Sequence, residues 1–160
     1  MTKAIFLDRD GVINRELNDW VKRVEDVEML DGVYDVLSEL QKKGHLFIII
    51  TNQSGIDLGL YSYEILEKIN NFIAGKLSEH GISIAEIYYC PHHPTVGKCI
   101  CRKPDSLLLE KAIARFNIDV SKSYLIGDRE RDIQAAEKVG LKGILMESNT
   151  SLYRILPKID

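Results

Sequence analysis

The sequence predicts an α/β protein with a Rossmann-like parallel sheet of five or more strands and helices on both faces. Short apolar runs of strand length alternate with segments of helical periodicity along the whole chain. Runs such as Leu46 to Ile50 are continuously apolar, as strands covered on both faces must be. Polar residues with chemical potential follow the ends of these runs. Such alternation builds one sheet through right-handed crossovers, and its ligands bind outside the carboxyl ends of the strands.

The first strand, Ile5-Phe6-Leu7, runs into Asp8-Arg9-Asp10-Gly11. Two carboxylates two residues apart at a strand end can converge on one cation, and Gly11 permits the sharp turn that lets them do so. Asn14 to Met29 is polar, non-periodic and interrupted by the lone Trp20, so a flap over the site is expected there, at about 14–29. Val33, Val36, Leu37 and Leu40 mark an amphipathic helix, with Asp31 as its expected N-cap and Gly44 at its left-handed end. Leu46 to Ile50 is the second strand, delivering Thr51-Asn52-Gln53-Ser54-Gly55 to its end. Helical spacing returns from Ser62 through Ile65, Leu66, Ile69, Phe72, Ile73 and Leu77 and closes at Gly81.

A third strand, about Ile84 to Tyr89, leads into a cysteine-rich loop. Leu108, Leu109, Ala112, Ile113 and Phe116 form the next helical face, entered through Pro104-Asp105, where the aspartate can cap. Tyr124 to Gly127 is the fourth strand, with Asp128 at its end. Ile133, Ala136 and Val139 mark a helix stopped by Gly140, and Leu141 to Met146 supplies the fifth strand. Glu147 to Asp160 reads as a short helix or coil. His45 and His80 flank helix ends and are expected at the surface.

A chain of 160 residues is read as a single domain, 1–160, able to bury roughly 70% of its unfolded surface. A net charge of -3 leaves no basic excess for nucleic acid or an anionic membrane, and no run approaches the ~18 apolar residues of a membrane span. The opening Met1-Thr2-Lys3 leads straight into a strand, so a cytoplasmic protein, read as a monomer, is expected. Its three cysteines fall within twelve residues, which argues against a disulfide framework.

Collected at the strand ends are Asp8 and Asp10, Thr51 with Asn52, Lys103 from Arg102-Lys103-Pro104, and Asp128 with Asp132 a helical turn later. This set suits phosphoryl transfer: carboxylates hold Mg²⁺, and the cation, Lys103 and Thr51 neutralise the phosphoryl oxygens while a carboxylate attacks. The loop at about 90–103 contains Cys90, His92, Cys99 and Cys101 as C-x-H-x6-C-x-C, a ligand count and type that suit a closed, structural Zn²⁺ site. His93 could replace His92, and three reduced cysteines beside surface histidines are the alternative. Such a zinc would fix the loop that carries Arg102 and Lys103.

Asp8-x-Asp10-Gly11, Thr51-Asn52, Lys103 and Gly127-Asp128-x-x-x-Asp132 resemble, in order, the four motifs of the haloacid dehalogenase superfamily. The resemblance implies Asp8 as nucleophile, Asp10 as general acid and base, and Mg²⁺ held by the Asp8 carboxylate, the Asp10 backbone carbonyl and Asp128. Asp132 would orient this shell. The C-P-H-H-P and C-x-C-R-K-P segments, with Asp8 to Asn14 and Thr51 to Ile56, narrow the resemblance to the D-glycero-D-manno-heptose bisphosphate phosphatases, close relatives of the histidinol-phosphate phosphatases.

That family implies a compact, capless enzyme. It removes the C7 phosphate of a heptose 1,7-bisphosphate in nucleotide-activated heptose biosynthesis for lipopolysaccharide or surface polysaccharide. Arg102 inherits recognition of the second phosphate by position, while the arginine-glycine common after the T-N-Q-S-G-I run is Leu58-Gly59 here. Substrate contacts are expected from Gly11, Glu16, Asp19, Asn52, Gln53, Ser54, Arg102 and Arg129, with Asn18 and Trp20 on the flap as further candidates. Histidinol phosphate is the alternative substrate; a phospho-receiver or a zinc-stabilised interaction module are alternatives of another class.

Overall fold

The apolar runs assemble into one parallel sheet in the computed structural model, which describes residues 1–160. Strands β1 (Ala4–Leu7), β2 (Leu46–Asn52), β3 (Ile84–Cys90), β4 (Tyr124–Gly127) and β5 (Lys142–Leu145) are ordered β3-β2-β1-β4-β5, every neighbouring pair parallel. The chain starts in the middle, winds out through β2 to β3, and returns to the other side of β1 for β4 and β5. The order therefore reverses at β1, and the crevice beyond its carboxyl end is where a ligand belongs.

All four residues of β1 are buried. Alternation along the strand sends Ile5 and Leu7 to one face and Ala4 and Phe6 to the other. The first face is covered by α1 (Val33–Lys42) and α2 (Tyr63–Glu79) through Val33, Leu37, Leu40, Ile69 and Ile73. The second is covered by α3 (Leu107–Phe116) and α4 (Glu130–Lys138) through Leu108, Leu109, Ala112, Ala135 and Ala136. Each fully buried Leu, Ile or Phe contributes about 1.5–3 kcal/mol. That packing is why the loops beyond the strand ends can concentrate charge without endangering the fold.

Local chemistry departs from expectation in a few places. Asp31 does not cap α1; the N-cap is Gly32 at φ +79°, and the Asp31 carbonyl instead accepts from the Leu152 N–H at 3.0 Å. The reason is the tail: Leu152–Lys158 forms a 3-10 helix that buries Leu152 and Ile155 in the first core, and a Cβ on Gly32 would stand 2.8 Å from Tyr153. Asp105 does not cap α3 either, because Ser106 precedes that helix and Asp105 lies in the turn, its N–H donating to the Arg102 carbonyl at 2.8 Å.

His45 is buried, not at the surface. Its Nδ1 lies 3.2 Å from the Leu40 carbonyl, and burial lowers its pKa, keeping the ring neutral. His80 is exposed and stacks on Tyr34 at 3.7 Å. Strand β2 runs two residues beyond the apolar stretch because Thr51 and Asn52 still pair with Tyr89 and Cys90.

Residues 14–29 leave β1 and return, Asn14 bridging antiparallel to Met29 and the Arg15 N–H donating to the Glu28 carbonyl at 2.8 Å. Val21 is buried against the core, so this excursion is anchored along its length. No helix is long and apolar enough to cross a membrane.

Candidate active site

Asp8 leaves the end of β1, Asp128 the end of β4, and Asp132 the first turn of α4; Lys103 enters from the loop after β3. Lys103 is only 2% exposed, and its Nζ stands 3.1 Å from Asp8 Oδ1 and 2.6 Å from Asp132 Oδ1 while donating to the Ile50 carbonyl at 2.8 Å. The Asp132 contact is a close ion pair. Asp132 Oδ2 accepts from the Arg129 N–H at 3.1 Å, so both of its oxygens face protein partners. Gly127 makes room for this carboxyl, since a Cβ there would lie 2.3 Å from the Asp132 Cβ.

Carboxylate oxygens of Asp8, Asp128 and Asp132 lie within 4.8 Å of one another. One ammonium cannot balance three carboxylates. Burial pushes the Asp8 carboxyl up to about 8; Lys103 opposes this, and Asp132, Asp128 and Asp10 reinforce it. Burial alone would lower the Lys103 pKa, but Asp8 and Asp132 outweigh it and the net shift is upward. The two shifts agree physically: the lysine keeps its proton, and the remaining negative charge makes full ionisation of the acids costly.

A divalent cation fits that excess. Asp128 Oδ2 and Ser148 Oγ are buried without hydrogen-bond partners, and both face Gly11, whose Cβ would stand 2.2 Å and 2.6 Å from them. Gly11 has φ +87°, so the turn and the close approach both require glycine. Clustered hard oxygen donors with an orphaned carboxylate oxygen suit Mg²⁺.

Asp10 is held by a separate network. Its Oδ1 accepts from Arg9 Nη2 at 3.1 Å and Asn14 Nδ2 at 2.9 Å, and its Oδ2 from Arg9 Nη2 at 3.2 Å and Gln53 Nε2 at 2.9 Å. Arg9 is wholly buried and extends to Asn70 Oδ1 on α2 at 3.0 Å. Gln53 also donates to Thr51 Oγ1 at 2.9 Å and accepts from the Tyr61 hydroxyl at 2.6 Å. The structure thus sets Gln53 behind Asp10 and Thr51, its amide engaged by protein. Arg9, Asn14, Tyr61 and Asn70 escape a motif-based reading, although Asn70 interrupts the apolar stripe of α2 and Arg9 falls two residues after the inward-facing Leu7.

Beyond Asp10 opens a cleft of about 370 Å³. Glu16, Asn18, Asp19 and Trp20 of the 14–29 segment line it together with Arg102, Arg129, Arg131, Asn52, Ser54 and His93. Thr51 is buried beneath. Asn52 exchanges bonds with the backbone of Lys103, its Oδ1 accepting at 3.1 Å and its Nδ2 donating at 3.3 Å, so it fixes the lysine loop as well as facing the cleft. Asn149, absent from the sequence candidates, grips the flap: its Oδ1 accepts from the Glu16 N–H at 2.7 Å and its Nδ2 donates to the Glu16 carbonyl at 2.9 Å. Burial and the Asp10 charge raise the Glu16 pKa. Leu58 is 38% exposed and lies outside the cleft lining.

At the end of β3, Cys90 Sγ lies 3.3 Å from His92 Nδ1, 3.7 Å from Cys99 Sγ and 2.8 Å from Cys101 Sγ, and His92 Nδ1 lies 3.1 Å from Cys101 Sγ. No disulfide joins them. His93 turns away, its Nδ1 2.7 Å from Thr95 Oγ1, so His92 is the imidazole that completes the cluster. Burial pushes the Cys90 thiol up. Burial acts the same way on Cys99, but backbone N–H groups of Arg102 and Cys101 aimed at its sulfur bring it down overall.

A central strand ending in a buried aspartate, with a lysine and two further carboxylates from flanking elements, makes this a haloacid dehalogenase-like hydrolase fold. A family model described as "HAD-hyrolase-like" matches residues 100–154. The chain is 40% identical over 146 residues to a D-glycero-beta-D-manno-heptose-1,7-bisphosphate 7-phosphatase of Haemophilus ducreyi, covering 88% of this chain and 80% of that one. It is 39% identical over 145 residues to a D-glycero-alpha-D-manno-heptose-1,7-bisphosphate 7-phosphatase of Photorhabdus laumondii, covering 87% and 79%.

A crystal structure of D,D-heptose 1,7-bisphosphate phosphatase from B. bronchiseptica, complexed with magnesium and phosphate, matches with a TM-score of 0.86 at 30% identity, covering 98% of this chain and 87% of that one. The chain belongs to the D-glycero-D-manno-heptose-1,7-bisphosphate 7-phosphatase family of the haloacid dehalogenase superfamily.

Proposed function

We propose that this single-domain chain is a Mg²⁺-dependent phosphoric monoester hydrolase. It removes the C7 phosphate of D-glycero-D-manno-heptose 1,7-bisphosphate, in the biosynthesis of nucleotide-activated heptose for lipopolysaccharide or surface polysaccharide. The observation that carries this is the buried Asp8, 3.1 Å from Lys103 and grouped with Asp128, near a cleft that Asp10 and three arginines line. Asp8 attacks the C7 phosphorus to form an aspartyl-phosphate while Asp10 gives a proton to the departing sugar oxygen; Asp10 then takes a proton from the water that releases phosphate. Lys103 and Thr51 hold the phosphoryl oxygens, and Asp132 keeps Lys103 in place.

The Asp8 carboxylate, the Asp10 backbone carbonyl and Asp128 would hold Mg²⁺, which when bound supplies the positive charge that lets a carboxylate approach an anionic phosphate. Residues 14–29 form the flap, whose Glu16, Asn18 and Asp19 offer acceptors to sugar hydroxyls. The Trp20 ring offers them a flat face. Arg102 and Arg129 suit anionic rather than cationic substrate groups, which separates this reading from histidinol phosphate, whose distal end is cationic. Phosphate release should be Mg²⁺-dependent, be lost on chelation, and favour the heptose bisphosphate over histidinol phosphate. Preference for histidinol phosphate would overturn the assignment.

Cys90, His92, Cys99 and Cys101 fit a Zn²⁺ site with no open position, whose role is to order residues 90–103 and so present Arg102 and Lys103. Elemental analysis of protein purified without chelators should give about one zinc per chain. Absence of zinc, with three freely titratable thiols, would contradict it.

A further inference from the structure

We propose that Arg131 is a specificity-determining residue that joins Arg102 in a two-guanidinium subsite for the sugar's second phosphate. This rests on the reading of the chain as a sugar bisphosphate phosphatase and adds a residue to it. Arg131 is the second residue of α4, half-buried, and lines the cleft beside Arg102. Its Nε is buried and has no hydrogen-bond partner. None of the chain's ion pairs includes Arg131 or Arg102, whereas Arg129 faces Asp128 at 3.8 Å. The one side-chain bond made by Arg102 is a long one, 3.4 Å, from Nη1 to the His92 carbonyl.

Two guanidiniums are thus set in one cleft, neither paired with a carboxylate. Like charges lining one cleft repel, so the pair is mutually unfavourable as it stands. The flap acids of the cleft pair with neither arginine: Asp19 pairs with Lys22 at 3.1 Å, and Glu16 accepts from the Asn18 N–H at 3.0 Å. A phosphate dianion relieves the repulsion, because guanidiniums grip phosphate through paired N–H donors. A monoanionic or neutral sugar end would leave one guanidinium unpaired, so the pair selects the dianion.

The test compares kcat/KM for heptose 1,7-bisphosphate and for heptose 7-phosphate, which lacks the second phosphate, across wild type, Arg131→Ala, Arg131→Lys, Arg102→Ala and the double alanine variant. Arg131→Ala should lose roughly 10- to 100-fold on the bisphosphate, mainly through KM, and at least several-fold less on the monophosphate. Arg131→Lys should recover part of the loss, and the double variant should lose less than the product of the single effects, because both residues hold one ligand. Calorimetric binding of the product heptose 1-phosphate should weaken in parallel, independently of turnover. If wild type prefers the bisphosphate but Arg131→Ala keeps that preference, or loses equally on both substrates, the inference fails and the function stands. If wild type does not distinguish the two substrates, both fall.

Discussion

Asp8→Asn will abolish turnover without unfolding the protein. The amide keeps the shape of the carboxylate at the end of β1 but cannot attack phosphorus, and removal of a covalent nucleophile costs on the order of 10⁴-fold or more. Stability should move the other way. The folded Asp8 carboxyl binds its proton up to about 8, far above its unfolded value, so this group costs the folded state stability that is lost progressively as pH rises from the unfolded value to about 8 and is constant above it. A neutral amide removes that cost. At neutral pH without Mg²⁺, the variant should melt no lower than wild type, as checked by thermal denaturation beside an assay of phosphate release; retained turnover would contradict the mechanism.

Lys103→Met produces the opposite pairing of effects: activity is lost and the fold weakens. Lys103 is 2% exposed and its ammonium is the one cation touching both Asp8 and Asp132. Removing one partner of a buried ion pair costs about 3–5 kcal/mol, because the charge left behind has neither water nor a counter-ion. For a chain of this size that corresponds to a Tm lower by roughly 6–20 °C. The deficit should shrink as pH falls through about 8, since protonation of Asp8 relieves its repulsion with Asp132 and Asp128. A pH series of melting curves reads this directly, and a variant as stable as wild type at neutral pH would show that the ion pairs carry no structural weight.

Much of this site is legible in the chain because strand ends write themselves plainly. An apolar run that stops at a carboxylate, as before Asp8 and Asp128, locates both the strand and the residue presented beyond it. The same run places Thr51, although pairing of Thr51 and Asn52 with Tyr89 and Cys90 depends on the neighbouring strand. The Cys90, His92, Cys99 and Cys101 spacing likewise leads to a cluster in space, and only coordinates separate His92 from His93.

Residues that act through others are harder to see. Arg9 reads as a charged turn, yet Asp10 and Asn70 supply enough acceptors to bury it completely. Gln53 reads as a substrate ligand, but its amide is consumed by Asp10, Thr51 and Tyr61. Asn149 has no local pattern to mark it, because its partner Glu16 is 133 residues away. Asp31 fails as a cap because the tail meets the start of α1 from the far end of the chain, and local capping rules contain no term for that contact.

The most direct test of the central claim is ³¹P NMR of heptose 1,7-bisphosphate incubated with the purified protein and Mg²⁺. The C7 phosphate resonance should disappear, inorganic phosphate should grow in equal amount, and the C1 phosphate should persist. Loss of the C1 resonance, or no release of phosphate from either position, would contradict that claim.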